Sequence, residues 1–408
     1  MSPDQAILNE TWSDLSQFRE LPNINVERLR QYRFDRIREQ LRLNDAAMCV
    51  LISPISLRYA VDYRNYALFQ SHIPSTYLFI SQDGPTILHG AYGTEMSDHV
   101  DSVTEGRALS FFDGGQSLTA GSELVADDIK NYLADLGADN RRVAVEYVNP
   151  SLTQALEKNG LDVIDGVLVS ETARLIKSDD EIDCMRWSVA VAEHGIAKMK
   201  AVLKPGVSEL QLWGIINYAN LANNGDWHDG RMLASGPRIN PWLQEASPRK
   251  VEAGDLVGLD TDMVGPYGYC ADVSRTFFCG PGSPNKRQKE LYQAANAEVE
   301  FNLTLLKPGI SFSDFRAQAY DQDEQYHVNA YTCIIHGVGM CDEYPRIDQK
   351  FAGPLRYEDE IQKGMVICVE SYVGAVGERD GVKLEQQVVI TETGYELLTT
   401  SPYESAFE

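Results

Sequence analysis

The chain has 408 residues, of which 43% are hydrophobic and 24% charged, an ordinary globular composition with room for about two domains of about 100 to 200 residues each. That excludes a disordered, collagenous or coiled-coil protein. With 36 Lys and Arg against 60 Asp and Glu, the net charge is −24, a field that repels phosphate backbones and anionic lipid surfaces, so neither nucleic acid nor a membrane is expected as a partner.

The N-terminal residues MSPDQAILNETWSDL carry acids where a signal peptide needs a basic stretch followed by an apolar run, so no secretion signal is expected. The 7 cysteines (Cys49, Cys184, Cys270, Cys279, Cys333, Cys341 and Cys368) are odd in number and include no CxxC pair. Reduced, buried thiols in a cytoplasmic protein fit them best. The most apolar window, AAMCVLISPISLRYAV, is broken by Ser53-Pro54 and Arg58, well short of the roughly 20 residues a membrane helix needs.

From about residue 46 to 170, β-rich runs (AAMCVLIS, STYLFIS, PTILHG, RRVAVEYV) alternate with helical stretches, which predicts an α/β domain. One such stretch, LVADDIKNYLADLG, closes on Gly137; another begins at Asn149-Pro150, a cap residue followed by proline at the first helical position. In YRNYALFQ the sequence offers either an ordinary surface loop or a pocket-lining segment.

A second region opens near Ser178. Ser178 and Glu181 have capping-box spacing ahead of apolar residues at 182, 185, 189, 192, 196, 199 and 203, a stripe that a helix must bury. Pro205-Gly206 ends it. The segment LKPGVSEL at 203–210 returns as LKPGISFSD at 306–314, each time between helical patterns, which points to two similar halves of two helices followed by β structure.

After the first helix pair comes GDLVGLDTDMVGPYGYCADVSRTFFCG, whose runs around Gly265-Pro266 predict a hairpin. Asp260 and Asp262, two apart, are expected on one strand face, with Asp272 meeting them from the returning strand. Three facing carboxylates repel unless a cation joins them; turn and surface aspartates are the plainer alternative. The second half adds His336 in HGVGMCDEYP, Glu370 in VICVESYVG and Glu385 in GVKLEQQVVI. An unpaired glutamate within a run of valine, isoleucine and leucine is costly unless it points to solvent. Together, three aspartates, one histidine and two glutamates on paired hairpins fit a dinuclear divalent site, and oxygen-rich ligands with one imidazole suit iron, manganese or zinc.

At roughly residues 170 to 395 the sequence resembles the pita-bread family of creatinase, prolidase, aminopeptidase P and methionine aminopeptidase, carried by SRTF after Asp272, HGVG at His336 and the run from Glu370 to GVKLE at Glu385. The resemblance implies an α+β protein: a smaller N-terminal α/β creatinase-like domain (1–170) and a C-terminal pita-bread catalytic domain (171–408) holding two divalent metal ions, iron first, manganese or zinc as alternatives. It also implies a homodimer. Creatinase has lost these ligands, which disfavours creatine hydrolysis.

The departures narrow the reading. Peptidases of the family usually place their hairpin aspartates eleven residues apart, whereas here Asp260 and Asp262 precede Asp272 by twelve and ten, so either is the principal ligand. Where they carry substrate-facing histidines, this chain has Trp242, after ASGPRINP, and Asp342, before Glu343. The pattern is similar to the branch of DddP-type dimethylsulfoniopropionate lyases. That similarity implies a small zwitterionic or carboxylate substrate, Asp342 as the base and Tyr331 as its assistant in the pocket. A sulfonium is well held by aromatic faces, for which Trp242, Tyr267, Tyr331 and Tyr372 are candidates; core packing is the alternative for each. Two rivals stand: an Xaa-Pro dipeptidase using Asp342 or Glu343 in altered roles, and a pita-bread scaffold that only binds a partner.

Overall fold

The computed structural model describes residues 20–64, 67–90, 95–104, 109–110 and 112–408. The segment MSPDQAILNETWSDL and residues Asn65 and Tyr66 of YRNYALFQ lie outside the described residues. Two compact units emerge, Asn25–Leu175 and Ile176–Glu408, the second including the described residues 20–24.

In the first unit a six-stranded sheet has the order β4-β3-β2-β1-β5-β6, with β1 at Met48–Leu51, β2 at Tyr77–Ser81, β3 at Ile87–His89, β4 at Ser102–Thr104, β5 at Arg142–Val145 and β6 at Asp162–Asp165. Strand β1 pairs parallel to β5 and antiparallel to β2, so it is central, and its four residues are all buried. An unbroken apolar run is what a strand covered on both faces requires. The helices are α1 (Val26–Leu43), α2 (Pro54–Val61), α3 (Ala67–His72), α4 (Gln116–Asp135), α5 (Pro150–Lys158) and α6 (Val167–Arg174). The α4 helix starts well before its apolar stretch, at Gln116, and is followed by Gly137 at φ +63°. At α5 the Asn149 side chain accepts a hydrogen bond from the Leu152 amide, the cap the sequence spacing predicts.

The boundary falls at 175/176 instead of 170/171. The cause is α6, which stays with the first unit: the Ala173 carbonyl accepts from Arg36 Nε at 3.3 Å and from the Tyr59 hydroxyl at 3.1 Å. Residues 20–24 go the other way, with Trp187 Nε1 donating to the Pro22 carbonyl at 2.8 Å.

The second unit has two similar halves. The first contains α7 (Asp179–Val202), α8 (Glu209–Ala222) and β7 (Trp227–His228), β8 (Leu233–Ser235), β9 (Leu256–Leu259), β10 (Met263–Val264), β11 (Cys270–Ala271) and β12 (Arg275–Phe278). These strands form the sheets β11-β10-β7 and β12-β9-β8. The second half contains α9 (Lys286–Leu303), α10 (Phe312–Gln318) and a five-stranded antiparallel sheet ordered β14-β13-β15-β16-β17, from β13 (Cys333–Val338), β14 (Asp342–Asp348), β15 (Val366–Val373), β16 (Val382–Ile390) and β17 (Tyr395–Leu397). This is the pita-bread arrangement.

The repeated LKPG segments make the same backbone bonds. Gly206 N donates to the Val251 carbonyl and Val251 N to that of Val207; Gly309 N donates to Ile361 and Ile361 N to Ile310, all at 2.8 to 3.0 Å. Each segment thus ties the start of a helix to the residues that lead into a later strand, β9 in the first half and β15 in the second, and the duplication read from sequence is a structural one. The capping box is present as well: Ser178 Oγ accepts from the Glu181 amide at 3.3 Å, and Glu181 Oε2 accepts from the Ser178 amide at 2.8 Å. Replacing Ser178 with alanine removes one of these bonds at the head of a largely buried helix. It is expected to cost about 1 kcal/mol, read as a lower urea midpoint at unchanged slope.

Candidate metal centre

Because strand side chains alternate, residues two apart share a face. On β15 this sets Cys368 and Glu370 on one face, and on β16 Lys383, Glu385 and Gln387. The ladder pairs Glu370 with Glu385 and Cys368 with Gln387, while β13 brings His336 opposite Cys368. One face of the sheet therefore carries an imidazole, two carboxylates, a thiol and a lysine, all buried.

The aspartates arrive from the other half, by a route that strand alternation did not foresee. Strand β9 ends at Leu259, and Asp260 to Asp262 form a turn in which Asp262 adopts φ +34°. Thr261 pins that turn across the hairpin: its Oγ1 donates to the Ala271 carbonyl at 2.7 Å and accepts from the Val273 amide at 2.9 Å. Asp260 and Asp262 then converge on Asp272. A ligand atom from each of these three lies within 4.8 Å of the others, and so do ligand atoms of Asp272, His336, Cys368 and Glu385. Asp272 belongs to both groups, as a residue shared between two ions would.

The imidazole is oriented for ligation. His336 Nδ1 lies 3.1 Å from the Gly337 carbonyl, which fixes the proton there and leaves Nε2 facing Asp272 Oδ2 at 3.6 Å, Glu370 Oε1 at 3.3 Å and Glu385 Oε1 at 3.4 Å. The HGVG glycines have a packing cause, since a Cβ on Gly339 would lie 2.5 Å from Glu343 Oε2 and one on Gly337 2.3 Å from the Tyr344 carbonyl oxygen.

Lys383 is a cation built into the cluster. Its Nζ stands 2.8 Å from Glu370 Oε2, 3.0 Å from Asp260 Oδ2 and 3.2 Å from Glu385 Oε2, and it donates to Ser274 Oγ at 2.8 Å. Burial acts to lower its pKa, but Asp260, Glu370 and Glu385 outweigh that and keep it well above the ordinary lysine value. Those three carboxylates each give one oxygen to Lys383. Their other oxygens, Asp260 Oδ1, Glu370 Oε1 and Glu385 Oε1, are buried without a hydrogen-bond partner, as is Asp272 Oδ1.

Four such atoms aimed into one space, beside an imidazole nitrogen, are the donors a divalent ion takes. Two groups of residues could each hold an ion, Asp260, Asp262 and Asp272 in one and Asp272, His336, Cys368 and Glu385 in the other, while Glu370 stands beside them with its Oε1 3.3 Å from His336 Nε2. Left to themselves, the carboxylates resist ionisation. Burial first, then Glu385 and Asp260, push Asp272 well above its ordinary value; burial and Asp260 do the same to Asp262. Glu370 is raised to about 7, chiefly by burial. Glu385 goes down, because Lys383 and His336 overcome its burial.

The match to known proteins follows the same residues. The model of metallopeptidase family M24 matches residues 183–392. The chain belongs to metallopeptidase family M24. Among M24 relatives, it is 34% identical over 394 residues to the dimethylsulfoniopropionate lyase DddP of Roseovarius nubinhibens, covering 94% of this chain and 88% of that one. It is 29% identical over 248 residues to the Xaa-Pro dipeptidase of Pyrococcus furiosus, 59% of this chain and 67% of that one. An Xaa-Pro dipeptidase structure from Bacillus anthracis superposes with a TM-score of 0.72 at 22% identity, over 92% of this chain and 98% of that one. M24 membership implies divalent metal at these carboxylates.

Tyr331 and Asp342 stand at the edge of the M24 centre. Lys383 Nζ lies 5.6 Å from the centroid of the Tyr331 ring, and the Glu370 charge foremost, then burial, raises the Tyr331 hydroxyl pKa. Asp342 Oδ1 is 3.8 Å from His336 Nδ1, and its side chain is 53% exposed where those of Asp272, Glu370 and Glu385 are 3%, 2% and 1%.

The other aromatic candidates make packing contacts of their own. Tyr267 occupies the tip of the β10–β11 hairpin at φ +62°, edge-on to Trp187, because the turn needs a residue there with positive φ and α7 offers it a ring to pack on. Trp242 and Tyr372 are buried and stacked on one another with centroids 6.0 Å apart, and the Tyr372 hydroxyl donates to the Ile239 carbonyl at 2.8 Å. Arg275 bonds the Ser274, Glu385 and Ser401 carbonyls instead of a ligand carboxylate.

Sequence reasoning missed Lys383, Cys368, Ser274 and Gln387. Their signal was the strand period: Lys383 and Gln387 flank Glu385 at two residues, and Cys368 precedes Glu370 by two. Gln387 Oε1 accepts from the Asp272 amide at 3.0 Å, and Ser274 Oγ donates to Glu385 Oε2 at 2.6 Å, so both hold ligands in place. Since Asp272 belongs to both ligand groups, Asp272→Ala is expected to empty both metal positions and Asp262→Ala only one. Metal analysis by mass spectrometry checks this; a full metal complement in Asp272→Ala contradicts it.

Proposed function

We propose that the protein is a metal-dependent carbon–sulfur lyase that converts dimethylsulfoniopropionate to acrylate and dimethyl sulfide. The observation that carries this reading is Asp342: a carboxylate with a 53% exposed side chain beside a cluster of buried ones, at the place where the resemblance to the family's peptidases leads one to expect a histidine. The lyase relative that spans 94% of the chain supports it.

The hard step is removing a proton from the carbon next to a carboxylate. When bound, two divalent ions would draw off the negative charge that builds on that carboxylate, with iron first among the candidates and manganese or zinc after it. Asp342 takes the proton on a carboxylate oxygen. The electron pair left behind forms the carbon–carbon double bond, the bond from the next carbon to sulfur breaks, and the cationic sulfonium departs as neutral dimethyl sulfide. No water is consumed. The Tyr331 ring, close to Lys383 and Glu370, offers an aromatic face to the sulfonium.

The Xaa-Pro dipeptidase reading needs another acid–base group, and Glu343 is a poor one. Its Oε2 is 3.1 Å from Lys177 Nζ with both side chains buried, and its Oε1 accepts from the Met340 amide at 3.1 Å. A binding scaffold would have no use for a full set of ligands. The 7 cysteines are free, in keeping with a reducing compartment such as the cytoplasm. No helix among the described residues is long and apolar enough to cross a membrane.

Headspace gas chromatography of metal-loaded protein given dimethylsulfoniopropionate is expected to detect dimethyl sulfide, with acrylate in equal amount. Asp342→Ala is expected to lower the rate by about 10²- to 10⁴-fold, the usual contribution of a general base. Hydrolysis of Xaa-Pro dipeptides by a metal-loaded preparation that releases no dimethyl sulfide contradicts the proposal.

A further inference from the structure

We propose that Cys368 is a sulfur ligand to one of the two metal positions, so that one ion is held by Asp272, His336, Glu385 and the Cys368 thiolate, while the other has oxygen donors only. The inference rests on the metal-centre reading above and adds a donor to it.

Burial alone does not single out this thiol. Six of the 7 cysteines are buried, and a buried cysteine is ordinarily a small apolar side chain. What distinguishes Cys368 is its company. The ladder places it directly opposite His336, and it shares a strand face with Glu370 two residues on. Its Sγ lies within 4.8 Å of ligand atoms from Asp272, His336 and Glu385, all four residues being buried. Two carboxylate oxygens in that group, Asp272 Oδ1 and Glu385 Oε1, have no hydrogen-bond partner although their residues are only 2% and 0% exposed. The sulfur makes one long contact, 3.9 Å to the Asp272 carbonyl, too weak to account for its placement. Cys270 provides a contrast, since it also stands two residues from a ligand, Asp272, yet lies outside the group.

The two positions then differ in chemistry. One nitrogen, one sulfur and two oxygens suit zinc or ferrous iron, whereas Asp260, Asp262 and the shared Asp272 form an all-oxygen set that also accepts manganese or magnesium. As the ion binds, the Cys368 thiol releases its proton to solvent and the thiolate bonds to the metal.

X-ray absorption at the zinc edge of wild-type protein loaded with zinc tests this without any variant. A sulfur shell at about 2.3 Å is expected; a fully loaded protein with only nitrogen and oxygen neighbours, at about 2.0 to 2.2 Å, overturns the proposal and leaves the metal centre standing. Zinc content below one ion per chain overturns both. In cobalt-loaded protein, thiolate-to-metal charge-transfer absorption is expected in the near ultraviolet, lost in Cys368→Ser and kept in Cys270→Ser. Absorption that survives in Cys368→Ser with full cobalt content also overturns the assignment.

Discussion

Five carboxylates crowd together in this protein, four of them buried, and the rest of the second unit is arranged around the charge they create. Asp260, Asp262, Asp272, Glu370 and Glu385 are brought together by two hairpins and a turn, with Lys383 as the lysine among them. Ion pairs at low dielectric are strong only when each charge keeps a partner, and an uncompensated one is expensive. Lys383 satisfies one oxygen from each of three carboxylates. The opposite oxygens are left facing His336 and one another, and divalent cations are what that space accommodates.

The duplicated architecture explains how such a cluster can be assembled. Each half contributes an antiparallel unit preceded by a lashed LKPG segment, with the same pair of backbone bonds at 206–251 and 309–361. The first half supplies the three aspartates and the second supplies His336, Glu370 and Glu385. Neither half has the set. Side chains behind the cluster complete it: Ser274, just ahead of β12, reaches Glu385, and Gln387 from β16 reaches the backbone of Asp272, so each half orients a residue of the other.

Much of this was legible in the sequence because it rests on local rules. The Ser178 capping box, the Asn149-Pro150 helix start, the β-rich runs and the repeated LKPG segment all depend on neighbours within a few residues, and the structure has them where the spacing put them. The family pattern pointed to residues that the structure gathers, Asp260, Asp262, Asp272, His336 and Glu385 in the two groups and Glu370 beside them. What lay beyond reach was decided at longer range. Asp262 joins the cluster through a positive-φ turn held by Thr261, not through strand alternation. Trp242 and Tyr372, read as substrate contacts, are taken up by one another, and Tyr267 by Trp187, since exposure and packing partners are not written in residue type. Lys383 hid in plain view, as a lysine in a strand of buried residues.

The same scaffold serves hydrolysis in relatives, so the chemistry turns on few positions around a common centre. Here Asp342 stands at the edge of the cluster with its side chain 53% exposed, and Trp242 is buried against Tyr372. Any chemistry at this cluster turns on whether it holds metal. The most direct test is calorimetry of the protein before and after removal of metal by a chelator, with metal content measured in parallel. The account predicts a marked drop in Tm on removal, reversed by adding back a divalent ion, because buried like charges then lose their counter-ions. An unchanged Tm, in a protein shown to have lost its metal, would contradict it.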